Sequence, residues 1–191
     1  QTAPPSGNYT ITVTSGQNYT NRYFGNVIVA HITRTQGFWA THWNFTSTIW
    51  NTSVSDTYKT IGSKDINDNA SRLMGGFWSD IAKNSSGGRR TLLDQAKMQL
   101  LQQWLAAVLN NAAFGSDPGD DPLHPGINLL DSAKNALLGS NRTEILRIAE
   151  LLTAFNESGS TEPLPAGMTP GPADPRAART IANRAFWDTL P

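Results

Sequence analysis

Between Leu92 and Ala113 apolar residues recur at helical spacing over an unusually wide arc. Leu93, Ala96, Met98, Leu100, Leu101, Trp104, Leu105, Val108 and Leu109 all fall within it. A helix apolar on so much of its circumference has to be covered on most sides, so the pattern predicts a central helix wrapped by other elements. Three further segments can supply the cover. Ile127 to Leu138 presents Leu129, Leu130, Ala133, Ala136 and Leu137 on one face and stops at Gly139. Asn141 with Glu144 reads as a capping pair opening a helix through Phe155, with Ile145, Leu146, Ile148, Ala149, Leu151 and Leu152 buried. After a Pro/Gly-rich connector over 158–172, Asp174-Pro175 starts a last helix with Ala178, Ile181, Ala182, Ala185 and Phe186 inward.

The first third of the chain has a different period. Residues 1–7 form a Pro/Gly/Ser lead, and from Asn8 to Thr14 the chain alternates strictly, with Tyr9, Ile11 and Val13 on one face and Thr10, Thr12 and Thr14 on the other. That is a half-buried strand. A polar hinge over 15–18 separates it from a second strand expected within Tyr23 to Thr35, where Val27 to Ala30 is apolar on both faces. Phe45 to Trp50 is a third strand candidate. The fold class expected is therefore α+β: an N-terminal extended arm over 1–22 carrying the first strand, then one globular domain over 23–191 with a few strands and about four helices.

With 191 residues the chain is long enough for one domain with a real core plus an arm. Only 16% of residues are charged and the formal net charge is zero, so no field draws it to nucleic acid or to an anionic membrane. It has no Cys, which removes disulfides, thiolate metal sites and Cys nucleophiles together. No run of apolar residues is long enough to span a bilayer. The start at Gln1 rather than Met is how a chain looks after a signal peptide is removed, so an extracellular or cell-surface location is expected.

The acceptor pattern Asn-x-Ser/Thr occurs eight times, at Asn8, Asn18, Asn44, Asn51, Asn69, Asn84, Asn141 and Asn156. With 16 Asn and 35 Ser plus Thr in the chain, about three would arise by chance. The excess predicts covalent glycans. Seven of these positions fall in segments read as strand edge, loop or helix end; Asn69 fits no segment.

Thr35-Gln36-Gly37-Phe38-Trp39-Ala40-Thr41-His42 resembles the Gly-Tyr-Trp-Lys-Asn-His signature that opens a widespread group of secreted microbial surface proteins. Leu105 to Ala112 is similar to that group's Ala-Ala-x-Leu-Asn-x-Ala phrase, and Ala149 to Asn156 to its closing Tyr/Phe-Asn phrase. The likeness covers about residues 33 to 158. The signature's Lys and Asn are Ala40 and Thr41 here, whereas Gly37, the aromatic Phe38, Trp39 and His42 are kept. The resemblance implies an exported, surface-associated protein and no reaction. These four residues are expected to form a buried turn joining sheet to helices. A looser likeness, of architecture only, is to glycosylated extracellular filament subunits that hand an N-terminal strand to a neighbour.

Chemical motifs are sparse. His31, His42 and His124 lack the spacing of a zinc site. Asp65, Asn67 and Asn69 repeat the opening ligands of an EF-hand loop, but Ala70 and Gly76 stand where its Gly and Glu belong. Asp117, Asp120 and Asp121 form an acidic turn that Ca²⁺ could enter, although a solvated Pro/Gly turn explains them as well. Asp80, Asp94 and Glu150 are carboxylates that could pair in space as in a glycosidase. Trp39, Trp43, Trp50, Trp78, Trp104 and Trp187 could form a sugar-stacking platform, with core the better home for Trp39 and Trp104. No nucleophile elbow, phosphate loop or dinucleotide fingerprint is present.

Two strands make too little ladder to stand alone in water. The expectation is that Tyr9, Ile11 and Val13 fill pockets on an identical neighbour, head to tail, giving a non-enzymatic homopolymer. A monomeric or wall-anchored surface glycoprotein, or a secreted carbohydrate-binding module or enzyme, are the alternatives.

Overall fold

A computed structural model of the protein describes residues 31–67 and 69–191. The arm, the first strand and most of the second strand expected from the sequence lie outside the described residues. His31 to Thr35 runs as irregular chain. From there the elements are α1 (Gln36–Thr41), α2 (Trp43–Ser53), β1 (Thr60–Ile61), β2 (Lys64–Asp65), α3 (Ala70–Trp78), α4 (Leu92–Phe114), β3 (Asp120–Asp121), β4 (His124–Asn128), α5 (Leu129–Leu138), α6 (Arg142–Ser158) and α7 (Pro175–Ile181), followed by a 3₁₀ turn over Arg184–Trp187. The architecture is broadly α+β and mostly helical. Strand pairing among the described residues is limited to two small antiparallel hairpins, β1–β2 and β3–β4, and one Lys83–Arg89 bridge.

The wide apolar stripe makes α4 the hub, and its residues from Trp104 to Asn110 are all buried. It packs most extensively on α6, then on α5, α2, α1 and α3. Thr91 caps it by accepting from the Asp94 amide, and Gly115 ends it in the left-handed region at φ 68°. Asn141 caps α6 through the Glu144 amide, as the sequence suggests. Among the described residues no helix is long and apolar enough to cross a membrane.

Two expectations are corrected. Phe45 to Trp50 is not a strand but the middle of α2. Its hydroxyl residues fold back onto the helix: Ser47, Thr48 and Thr52 each donate to the carbonyl four residues earlier. That bond satisfies the hydroxyl, and Thr46 and Trp50 supply the buried stripe. The last helix ends at Ile181 instead of continuing to Phe186, and Asn183 caps the separate 3₁₀ turn.

That turn lies across α3. Asn183 N–H donates to the Ser71 carbonyl at 2.8 Å and Trp187 Nε1–H to that of Arg72 at 2.7 Å. The approach is possible because α3 carries Gly75, where a Cβ would stand 2.2 Å from the Asn183 carbonyl oxygen. Lys64 Nζ donates to the Phe186 carbonyl and to Thr189, and Lys97 Nζ to the Pro191 carbonyl, fastening the final segment to the domain.

Candidate functional site

The residues singled out by the Gly-Phe-Trp phrase lie in and just after α1. Thr35 caps the helix through the Phe38 amide. Gly37, Phe38 and Trp39 are helical, and His42 ends it, so the expected turn is a six-residue helix. Trp39 is fully buried, and its Nε1–H donates to Asn110 Oδ1 at 3.1 Å. Asn110 is a hub: Oδ1 also accepts from Arg34 N–H at 2.7 Å, while Nδ2 donates to the Arg34 carbonyl and to Asn156 Oδ1, both at 2.9 Å. Asn156 Nδ2 in turn donates to the carbonyl and Oε1 of Gln103. The three phrases read in the sequence thus meet at one buried, hydrogen-bonded point whose work is structural.

The Arg34 guanidinium closes this assembly. It donates to the carbonyl of its neighbour Thr33 and, just past the C-terminal end of α6, to those of Gly159, Ser160 and Glu162, where the helix dipole favours a cation. Burial lowers its pKa from the ordinary guanidinium value.

The sequons divide by burial. Asn8 and Asn18 lie outside the described residues, as do Tyr9, Ile11 and Val13. Asn44 and Asn51 are exposed, seven residues apart on one face of α2, in its first and last turns rather than at a strand edge. Asn84 shapes a surface turn, and Asn141 is an exposed helix cap. Asn69, unplaced by sequence, caps α3 through the Arg72 amide. Asn156 corrects the expectation: it is 1% exposed with its amide fully engaged, so the folded protein has no room for a sugar there.

The acidic turn does not assemble as three converging carboxylates. Asp117 accepts from Gly119 N–H and Asn128 Nδ2, and Asp120 from Gly126 N–H, so both shape the loop. Asp121 is fully buried and accepts from Leu123 N–H, His124 Nδ1 at 2.9 Å and Arg147 Nη2 at 2.8 Å. Arg147 also binds Glu144 at 2.5 Å. Ligand-type atoms of Asp121, His124 and Glu144 lie within 4.8 Å of one another, but the guanidinium already supplies the positive charge between the carboxylates. Burial alone would raise the Asp121 carboxyl; the hydrogen bonds from Arg147 and His124 overcome this and hold it well below the usual carboxylate range.

Other candidates are dispersed. His31 packs edge-on to Phe155 and His42 stacks on Phe38 at 4.1 Å, so the three histidines do not converge. Asp65 braces the Asn67 amide beside β2. Asp80 accepts from the Ala82 and Lys83 amides, Asp94 from the Thr91 hydroxyl, and Glu150 is exposed on α6. No platform of six tryptophans forms: Trp39, Trp50, Trp104 and Trp187 are wholly buried.

A feature that sequence reasoning missed lies in front of α2. A groove of about 450 Å³ runs between the start of that helix and the Pro/Gly connector, lined by His42, Trp43, Asn44, Phe45 and Asp174 among others. A second hollow shares Phe45 and Thr169 with it, extending the same strip. The connector is anchored where Asp174 N–H donates to the Thr41 carbonyl at 2.9 Å and its Oδ1 caps α7. No sequence spacing could have announced this site, because its walls are some 130 residues apart in the chain.

No protein-family model, curated protein or solved structure matches this chain.

Proposed function

We propose that this protein is a structural, non-enzymatic subunit of an extracellular, N-glycosylated filament, assembled from identical copies by exchange of the strand over Asn8 to Thr14. The observation that carries the reading is a mismatch: a strictly alternating strand sequence precedes a domain whose described residues pair only in short hairpins. Tyr9, Ile11 and Val13 need a ladder and a groove, and an edge strand supplied by a neighbour provides both. The described hairpins are poor acceptors. β4 is the longer strand, and Pro125 removes a ladder donor from it. The acceptor we propose is the strand expected from the sequence over Val27 to Ala30 of the next copy. Exposed acceptors at Asn44, Asn51 and Asn141 are suited to sheathing such a fibre with sugar.

Negative-stain imaging of the native material tests the reading directly, with filaments expected that survive dilution. Ile11→Asp places a carboxylate in the middle pocket and is expected to abolish or weaken polymerisation while the helical domain keeps its melting transition. Deleting residues 1–14 is expected to leave monomers that a peptide of the same sequence caps. Monomers in the native material, or undiminished assembly by both variants, overturn the proposal in favour of a monomeric or wall-anchored surface glycoprotein.

A further inference from the structure

Five of the six tryptophans hand their indole N–H to an acceptor: Trp39 to Asn110, Trp50 to Ile66, Trp78 to Ala40, Trp104 to Leu130 and Trp187 to Arg72. Trp43 is the exception among the described residues, and it is half-buried on the wall of the groove in front of α2. Beside it, Phe45 has one face laid parallel on Trp39, at 5.7 Å and 5°. Two aromatic rings therefore line the groove on a rigid base.

The polar groups beside them have unused capacity. His42 Nδ1 lies 2.9 Å from the Phe38 carbonyl, which can only accept, so the proton is on Nδ1 and the neutral ring keeps Nε2 as an acceptor. The stack on Phe38 fixes that ring in place. Asp174 uses Oδ1 to cap α7, and no partner is found for Oδ2 among the described residues. Asn44 adds an exposed amide at the rim. The lining contains no Lys or Arg to favour a phosphate or sulfate. Aromatic faces for C–H groups, an indole donor, and fixed imidazole and carboxylate acceptors for hydroxyl donors are complementary to one chemistry.

We propose that this groove is a binding site for a neutral saccharide, stacked on Trp43 and Phe45 and hydrogen-bonded by His42 and Asp174. Asn44, itself a glycan acceptor, stands at its rim, so sugar is the ligand class this surface brings nearest. The site does not depend on strand exchange. It accepts either the glycan borne by Asn44 or an external polysaccharide.

Saturation-transfer NMR reads the ligand and so works on monomer or polymer alike. The full chain made without glycosylation is mixed with mannohexaose, cellohexaose, chitohexaose or decaproline, each at about 10 mM to reach millimolar affinities. Transfer to at least one hexaose is expected, with affinity falling about tenfold in Trp43→Ala. Asp174→Asn keeps the helix cap and loses the charged acceptor, so it is the variant that stays folded and is also expected to bind several-fold more weakly. Transfer to no hexaose, transfer undiminished in both variants, or transfer to decaproline alone overturns the proposal. The source is then read from glycosylated protein: the glycan of Asn44 is the occupant if free hexaose binds only after Asn44→Gln, and an external saccharide is the ligand if it binds without that change.

Discussion

The indole N–H of Trp39 and the amide N–H of Arg34 donate to the same oxygen, Asn110 Oδ1, at 3.1 and 2.7 Å. One buried side chain thereby satisfies groups from the irregular segment at Arg34, from α1 and, through Asn156, from α6. Replacing Asn110 by Leu strands all of them, and with each lone buried group costing about 1–3 kcal/mol the variant is expected to lose on the order of 3 kcal/mol or more. Trp39→Ala is expected to cost about 3–5 kcal/mol as a large core truncation, and Trp39→Phe about 1–2 kcal/mol through the lost bond. Urea denaturation checks the order. Equal costs for the Phe and Ala variants would show that the hub does not act as described.

Glycopeptide mass spectrometry of native material is expected to find sugar at Asn44, Asn51, Asn84 and Asn141 and none at Asn156, whose Nδ2 already donates twice to Gln103. A glycan on Asn156 contradicts the buried geometry. Sugar on fewer than three of the chain's eight acceptors removes the glycoprotein reading altogether.

Acid should act through Asp121. Its carboxyl titrates lower in the folded protein than in the unfolded chain, so its stabilisation is complete above the unfolded value of about 4 and is lost as pH falls below that toward the folded pKa. Glu144 is shifted the same way by its bond to Arg147. Asp121→Asn breaks a buried pair and is expected to cost about 3 kcal/mol near neutral pH. The gap to the parent should narrow as the pH is lowered from 4 to 2, because protonation of Asp121 in the unfolded parent draws the equilibrium away from the ionised folded pair. Thermal melts across that range decide it, and a gap that widens would refute the assignment.

Gly159 ends α6 where the incoming chain crosses it, with Thr33 N–H on its carbonyl and its own N–H on Thr33 Oγ1. A Cβ there would stand 1.6 Å from the His31 carbonyl oxygen. Gly159→Ala is expected to cost about 1–3 kcal/mol by forcing the crossing apart. Gly139→Ala serves as the comparison, since its Cβ would meet nothing closer than 3.4 Å. Comparable melting temperatures for the two variants would mean that the crossing can give way.

The helical half was legible because its signals are redundant. α4, α5 and α6 each show an apolar period together with a capping residue, and Pro175 marks the start of α7. α2 was hidden by composition, since Phe45, Thr46, Thr48 and Ile49 favour strands until the hydroxyls bond back along the helix. α3 was hidden by Gly75 and Gly76, which lower helix propensity locally but admit the segment around Asn183 and Trp187. The groove at Trp43 depends on tertiary approach between residues 42–48 and 169–174 and leaves no trace in either segment alone.

The bonds at Asn110 join residues 76, 71 and 46 positions apart in sequence. None can form until the chain around Arg34, α1, α4 and α6 have been gathered, so these contacts bring no benefit to a partly assembled chain and arrive after most of the loop-closure entropy has been lost. Substitutions at Asn110 should therefore accelerate unfolding and leave the refolding rate nearly unchanged, the kinetic mark of a bolt shot home last.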